Sequence, residues 1–395
     1  MAPALTANGA MARALDLARL SLRLSNPNPR VGCVLVGADG RVIGEGHTQQ
    51  AGGPHAEVMA LRDAQARGET TQGATAFVTL EPCSHHGRTP PCCEALMAAR
   101  VGQVVVAIAD PNPLVAGQGV QRLRSAGIGV ELLADDDPAA VASRELNIGF
   151  FSRMTRGQPW VRMKMASSLD GTTALENGAS QWITGEAART DGHAWRARAC
   201  AVLTGVGTVL EDNPRLDVRL VDTPRQPHLI VVDSRLKTPP SARLFAPPGN
   251  GQRRQIWIYH ASQDATAIGA LEAQGATLLA MPGAHGKVEL ADMLRDLGRR
   301  EVNELHLEAG SKLNGSFLRE GLVDEVLIYL APCLLGHGAR MADFGPLQHL
   351  QEATRLEMTD TRMLDGDLRV LARVPGGLPQ PPAPTRGPDA PRPKE

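Results

Sequence analysis

The sequence predicts a two-domain α/β protein, on three observations. Its 395 residues exceed what one hydrophobic core usually serves. Short apolar runs alternate with helical patterns along the chain, and a polar stretch from Phe150 to Pro159, broken by Gly157 and Pro159, divides it. The first part reads as a helix, two strands, then alternating helix and strand, which suggests a three-layer α/β domain. The second part reads as short strands separated by helical or Gly/Pro segments, a further α/β domain.

Taken in order, Met11, Leu15, Ala18 and Leu22 recur at helical spacing between Met11 and Leu24, and Asn26-Pro27-Asn28-Pro29 stops the helix. Val31 to Val36 and Arg41 to Gly46 flank the turn Ala38-Asp39-Gly40 and read as hairpin-joined strands. His55 to Arg67 has a helical pattern, Ala74 to Leu80 that of a strand, Cys92 to Arg100 of a helix and Val101 to Ala109 of a strand. Asp135-Asp136-Asp137-Pro138 opens another helical stretch. Domain one accordingly spans residues 1–150 and domain two residues 159–374. In domain two, the strand candidates are Trp160 to Ala166, Cys200 to Thr204, His228 to Val232, Gln255 to Tyr259, Glu304 to Leu307 and Glu325 to Leu330. The segment 375–395 is rich in Pro and poor in large apolar residues, so a disordered tail is expected there.

Lys plus Arg (41) and Asp plus Glu (42) nearly cancel, for a net charge of -1, and no long basic block interrupts the chain. Broad electrostatic binding to nucleic acid or anionic membrane is therefore disfavoured. Six cysteines are too sparse for a disulfide scaffold in a chain of this length, and the clustered ones lie near histidines. No charged-then-apolar leader pattern and no run of roughly 18 apolar residues is present. A soluble protein of a reducing, cytoplasmic compartment is expected.

His55-Ala56-Glu57, then Glu81-Pro82-Cys83, then Cys92 carry the chemistry of the first domain. One histidine and two thiolates suit tetrahedral zinc, and three protein ligands leave a fourth position for water. Zinc acidifies its water, and a carboxylate two residues from the histidine, Glu57, is placed to shuttle the proton to a departing amine. Cys92 near a helix start favours the thiolate. His-x-Glu followed by Pro-Cys and a further Cys resembles the zinc nucleobase and nucleoside deaminases, except that eight residues, Ser84 to Pro91, separate the cysteines where two are common. A structural zinc site would need a fourth ligand from His85, His86 or Cys93. Cys93 otherwise reads as a packed thiol, and Cys33, Cys200 and Cys333 as core residues.

The stretch Thr79-Leu-Glu-Pro-Cys-Ser-His-His-Gly-Arg-Thr-Pro-Pro-Cys92 is similar to the bifunctional deaminase/reductase family of riboflavin biosynthesis, in which the longer loop between the cysteines is the norm. The resemblance continues through Lys164 to Gly171, Ser180 to Thr184 and Glu211 to Pro214, and covers about residues 10 to 374. It implies a cytidine-deaminase-like first domain in which His55, Cys83 and Cys92 bind zinc and Glu57 is the proton shuttle. Asn28 would help hold a pyrimidine, or serve only as a turn residue. His85, His86 and Arg88 would meet a substrate phosphate, or belong to a solvated loop.

In domain two no Gly-x-Gly-x-x-Gly follows a strand, so a standard dinucleotide fingerprint is absent. Gly205-Val-Gly207-Thr208 and Glu308-Ala-Gly310-Ser311-Lys312 instead each follow a strand and open a helix, a geometry that offers backbone N–H groups to phosphate or merely permits a tight turn. The resemblance implies a dihydrofolate-reductase-like domain that uses NADPH. Cofactor contact would fall on Ser167, Trp182, Thr208, Asp212, Ser234 and the turn Gly310, Ser311, Lys312, Leu313, Asn314, Gly315 and Ser316, with Ser167 standing where the family more often has a smaller residue. Substrate contact would fall on Ser180, Arg196, Leu216, Arg219 and Glu308; the arginines suit a 5'-phosphate or an ordinary ion pair.

The implied reactions are loss of the pyrimidine 2-amino group as ammonia, then hydride delivery to ribose C1, which opens the sugar to a ribityl chain. A small-molecule ribosylamine phosphate is the expected partner, with a homodimer through the reductase domain. The alternatives are a nucleoside or tRNA deaminase with an accessory nucleotide-binding domain, a non-enzymatic structural zinc protein, and a chain with one active half.

Overall fold

A computed structural model describes residues 6–85, 90–113, 115–249 and 251–376. His86, Arg88 and the expected tail beyond Gly376 lie outside the described residues. The chain divides into two compact units, one through Arg156 and one from Gly157.

The first unit runs α1 (Ala7–Leu20), β1 (Gly32–Val36), β2 (Val42–His47), α2 (Ala56–Ala66), β3 (Thr75–Val78), α3 (Cys92–Ala98), β4 (Gln103–Val106), α4 (Gln118–Ser125), β5 (Gly129–Leu132), α5 (Pro138–Leu146) and α6 (Ile148–Arg156). The sheet order is β2-β1-β3-β4-β5, with β1 antiparallel to β2 and β3, and β3, β4 and β5 parallel. Helices cover both faces. Val34 and Val36 pack with Met11, Ala14 and Leu17 of α1, whereas the alternate residues Cys33 and Leu35 pack with Ala56, Ala60 and Ala64 of α2 and Leu96 of α3. Burial on both sides explains why β1 is an unbroken apolar run. Its side chains are buried throughout.

The approach of α2 to β2 is set by small residues. A Cβ on Gly44 would lie 2.3 Å from the Ala60 carbonyl oxygen, and one on Gly46 2.3 Å from that of Ala56. Only glycine on the strand and alanine on the helix let the backbones come this close.

The structure departs from the sequence reading in three places here. The stretch from Phe150, expected to be a broken linker, is helical through Arg156, because Phe150 and Phe151 are buried in the core of the first unit. The break falls at Gly157, whose φ is 70°. Second, α4 and β5 have no counterpart in that reading, since β5 is mostly exposed and lacks an apolar alternation. Third, Cys333 is half-buried on the loop after the strand Glu325–Ala331, not a core residue.

The second unit runs β6 (Trp160–Ser168), β7 (Thr172–Leu175), α7 (Glu186–Arg198), β8 (Ala201–Gly205), α8 (Val206–Asp212), β9 (His228–Val232), β10 (Ile256–His260), α9 (Ala265–Glu272), β11 (Ala276–Ala280), α10 (Leu290–Arg299), β12 (Glu304–Leu307), α11 (Ser311–Arg319), β13 (Glu325–Ala331), β14 (Gly338–Arg340), β15 (Glu357–Leu364) and β16 (Asp367–Arg373). Nine strands form one sheet in the order β11-β10-β9-β8-β12-β6-β13-β16-β15. It is parallel from β11 to β13, and β16 and β15 close it antiparallel.

The two faces of this sheet differ. Val161, Met163 and Met165 of β6 join Leu305 and Leu307 of β12 in an apolar core with α10 and α11. The alternate residues are ionic: Arg162, 2 % exposed, donates to Glu304 at 2.9 Å and to Glu325 at 2.5 Å, and Trp195 of α7 lies against its guanidinium at 4.4 Å. A buried charge is tolerated only when paired in this way.

Candidate active sites

In the first unit, His55 is the N-cap residue of α2, Glu57 lies in the first turn and is 3 % exposed, and Cys92 opens α3. Cys83 follows β3 on the Pro82 turn. The fold brings together residues that the sequence spreads from 55 to 92: the His55 Nδ1 lies 3.3 Å from the Cys92 Sγ and 3.6 Å from the Cys83 Sγ. The Cys92 backbone N–H donates to the Cys83 Sγ at 3.2 Å. One ligand atom from each residue falls within 4.8 Å of the others. Hydrogen bonding from Cys92 and His55 outweighs burial and favours thiolate at Cys83. One imidazole and two sulfurs at this spacing fit a tetrahedral zinc ion with one position open.

Burial, reinforced by the charge on Cys83, pushes the Glu57 carboxyl up to about 7. A group at that value both accepts and returns protons near neutrality. Cys93 stands apart from the ligands, buried with its thiol directed to the Pro82 carbonyl at 3.3 Å.

The supporting roles of three residues escaped the sequence reading, which named Glu81 only as part of a motif and did not name Asn147 or Ser143. Glu81, 5 % exposed, accepts backbone N–H groups of Asp110 (3.1 Å), Gly117 (3.0 Å) and Val120 (3.1 Å), and so ties the loop after β4 to the Pro82-Cys83 turn. Asn147 accepts the Arg30 N–H at 2.7 Å and donates to the Arg30 carbonyl at 3.0 Å, and Ser143 donates to the Thr79 carbonyl at 2.5 Å. Sequence separations of 117 and 64 residues left no local signal for the last two. Asn28 is half-buried beside the turn, its N–H donating to the Ser25 carbonyl at 2.8 Å. His85 is exposed.

In the second unit the chain leaves β8 for β9, β10 and β11 on one side and returns to β12 on the other. Such a switch point opens a crevice at the carboxyl ends of parallel strands. Helix α8 starts directly at Gly205 and α11 at Gly310, so the two glycine turns are neighbours. A Cβ on Gly205 would lie 3.1 Å from Leu313, and one on Gly310 3.8 Å from the Thr208 Oγ1. Thr208, Gly310, Ser311, Lys312 and Leu313 thereby gather where two helix N-termini offer N–H groups.

The other residues named for this domain divide. Ser167, the penultimate residue of β6, is fully buried and donates to the Ser168 carbonyl at 2.9 Å. Ser234, just past β9, accepts the Val288 N–H at 3.0 Å. Asn314 and Gly315 face another part of the chain: Asn314 donates to the Met341 carbonyl at 2.9 Å, and a Cβ on Gly315 would lie 1.8 Å from the Asp343 carbonyl oxygen. The Ser316 hydroxyl returns to the Lys312 carbonyl at 3.2 Å. Asp212 is exposed at the far end of α8. Ser180 is half-buried, and Trp182, 66 % exposed, carries Arg189 over its ring at 4.6 Å.

Arg196 and Glu308 face each other in a two-pronged ion pair, closed by Nη2 to Oε2 at 2.8 Å. The remaining Arg196 nitrogen donates to the Asp217 carbonyl at 3.1 Å. His306 and Lys164 approach the same carboxylate at 3.2 and 4.0 Å. Although burial opposes it, Arg196 and these neighbours hold Glu308 well below the usual carboxylate range. Arg219, by contrast, spends one nitrogen on Asp217 at 3.0 Å and keeps a side chain 44 % exposed. Leu216, buried at φ 52°, turns the chain between them.

Residues 6–108 match the family model "Cytidine and deoxycytidylate deaminase zinc-binding region", and residues 159–370 match "RibD C-terminal domain". The riboflavin biosynthesis protein RibD of Escherichia coli is 42% identical over 373 residues, 91% of this chain and 96% of that protein. The chain belongs to the RibD family. Solved relatives agree: Acinetobacter baumannii RibD, 41% identical, superposes with a TM-score of 0.80 over 92% of this chain and 97% of that one. A Thermotoga maritima structure, described as a diaminohydroxyphosphoribosylaminopyrimidine deaminase/5-amino-6-(5-phosphoribosylamino)uracil reductase, is 32% identical with a TM-score of 0.79 over 92% and 97%.

RibD proteins are bifunctional, and the chain carries both parts: a zinc-binding, cytidine-deaminase-like deaminase domain and a dihydrofolate-reductase-like reductase domain of a family that uses NADPH. The fold class and the pair of activities expected from the sequence agree with RibD membership, which removes the nucleoside, tRNA and structural-zinc alternatives. Among the described residues no helix is long and apolar enough to cross a membrane.

Proposed function

We propose that this chain performs the two reactions for which the Thermotoga maritima relative is named, deamination of a diaminopyrimidine ribosylamine phosphate followed by reduction of its ribosyl chain, with the boundary between the two activities near Arg156. The observation that carries the reading is the convergence of His55, Cys83 and Cys92 within 4.8 Å beside a buried Glu57. Bound at these ligands, zinc supplies Lewis acidity toward a water molecule. Glu57 takes the proton of the attacking water and returns it to the departing amine, and Asn28 holds the pyrimidine from its turn. In the reductase domain the adjacent turns at Thr208 and Gly310 to Leu313 cradle NADPH phosphates, with Ser167, Trp182, Asp212, Ser234 and the remainder of the turn to Ser316 completing the cofactor contacts. NADPH, when bound, supplies the hydride. Ser180, Arg196, Leu216, Arg219 and Glu308 receive the substrate, and Arg196 also keeps Glu308 ionised. A cytoplasmic location, no nucleic-acid or membrane partner and a homodimer through the reductase domain complete the proposal; the near-zero net charge supports the absence of a polyanionic partner.

The test is to give the zinc-loaded protein the diaminopyrimidinone ribosylamine phosphate and follow ammonia release and the reduced-nicotinamide absorbance. Ammonia without NADPH, followed by oxidation when NADPH is added, is the expected result. Absence of ammonia overturns the substrate assignment.

A further inference from the structure

Between β8 and β9, residues Arg215 to Arg219 are held by side chains from several other parts of the second unit. Arg254 donates to the carbonyls of Leu216 at 2.6 Å and Arg215 at 2.5 Å. Gln226 clasps Val218 from both sides, accepting its N–H at 2.8 Å and donating to its carbonyl at 2.9 Å. The His193 Nδ1 of α7 accepts the Arg219 N–H at 3.2 Å, and Arg196 of the same helix reaches the Asp217 carbonyl at 3.1 Å.

At the centre lies Asp217, 1 % exposed. Each of its carboxylate oxygens takes one flanking guanidinium: Oδ2 accepts from Arg215 and Oδ1 from Arg219, both at 3.0 Å. Two guanidiniums two residues on either side would repel and fan outward without an anion between them. Arg215 is fixed at a second point, since it also donates to the Pro247 carbonyl at 2.6 Å. Arg219 is anchored through its side chain by Asp217 and is 44 % exposed. In these contacts Arg196, Arg215, Arg219 and Arg254 meet Asp217 and Glu308 as counter-charges, so the cluster keeps a cationic excess, and Arg219 is its exposed member.

We infer that Asp217 is a positioning residue: it presets the Arg219 guanidinium so that its outward edge meets a phosphate monoester on the reductase substrate without a rotamer search. The inference rests on the proposed role of Arg219 as a substrate contact. Burial alone would raise the Asp217 carboxyl, but the hydrogen bond from Arg219 and the charges of Arg215 and Arg219 outweigh it, so the anchor stays ionised at neutral pH. An arginine held in its bound geometry loses less conformational freedom when the ligand arrives.

The experiment compares Asp217→Asn, Arg219→Ala and the double variant in the full-length, zinc-loaded protein, with inorganic phosphate as a competing probe. Asp217→Asn is expected to raise KM for the deaminated substrate about tenfold, with kcat within about twofold and with KM for NADPH and ammonia release unchanged. Phosphate inhibition weakens in parallel, and adding Asp217→Asn to Arg219→Ala brings no further rise in KM. Asp217→Glu, which keeps the charge, recovers part of the affinity. If Arg219→Ala raises KM while Asp217→Asn does not, the positioning role is overturned and the reading of Arg219 stands. If neither changes KM, the reading of Arg219 fails and takes the inference with it. If Asp217→Asn lowers kcat and raises KM for NADPH together, Asp217 supports the fold generally and the inference is overturned.

Discussion

At Glu57, burial and a neighbouring thiolate raise the carboxyl to about 7, which suits the proposed proton carrier, while the grouped ligand atoms are those of His55, Cys83 and Cys92. Glu57→Gln is therefore expected to keep zinc by elemental analysis while ammonia release falls by roughly 10²- to 10⁴-fold. Loss of metal in that variant would reassign Glu57 as a ligand. In the other unit, burial and the charges of Arg196 and Arg219 pull His193 down to about 3, so it is neutral in the folded protein and accepts the Arg219 N–H. Its folded value lies below the roughly 6.5 of an unfolded histidine, so the folded state binds fewer protons in that window. The stability it contributes is complete above about pH 6.5 and is lost as the pH falls from there toward 3. By pH 5 the loss approaches about 2 kcal/mol. Urea denaturation at pH 7 and pH 5 should show the midpoint dropping, and His193→Gln should flatten the difference.

The element that presents the metal site is α2, whose N-cap residue is His55. Its depth against β2 depends on Gly44 and Gly46, where an added Cβ would meet the α2 backbone at 2.3 Å. Gly46→Ala should push the helix outward, cost on the order of 1–3 kcal/mol and weaken zinc retention in a chelator titration; unchanged retention would show that His55 is placed independently of helix depth. Most helices of the first unit and the central strands of both units were legible because their apolar residues recur at helical spacing or run together in buried strands, as in Val31 to Val36 and His228 to Val232. The edge elements were not. β15 exposes Met358 and Met363 and is stabilised by backbone pairing with β16 rather than by an apolar pattern, and α6 looked like a linker until Phe150 and Phe151 found the core.

For the whole molecule, two units with separate sites predict separable losses. Arg196→Ala removes the main partner of a largely buried Glu308, 12 % exposed, and should abolish most NADPH oxidation while ammonia release persists; equal loss of both activities would argue for one composite site. The sequence by itself singled out the residues of the candidate deaminase centre, because a histidine, two cysteines and a carboxylate in that order are legible as residue types, and it determined the α/β class through periodicity. Only the tertiary structure decided what supports those groups. Glu81 holding three N–H groups, Asn147 clasping Arg30, and Arg196 bound to Glu308 are pairings across 29 to 117 residues. Ordinary polar residue types acquire such roles when distant segments pack together, and strand order, which local sequence does not encode, is what brought them together.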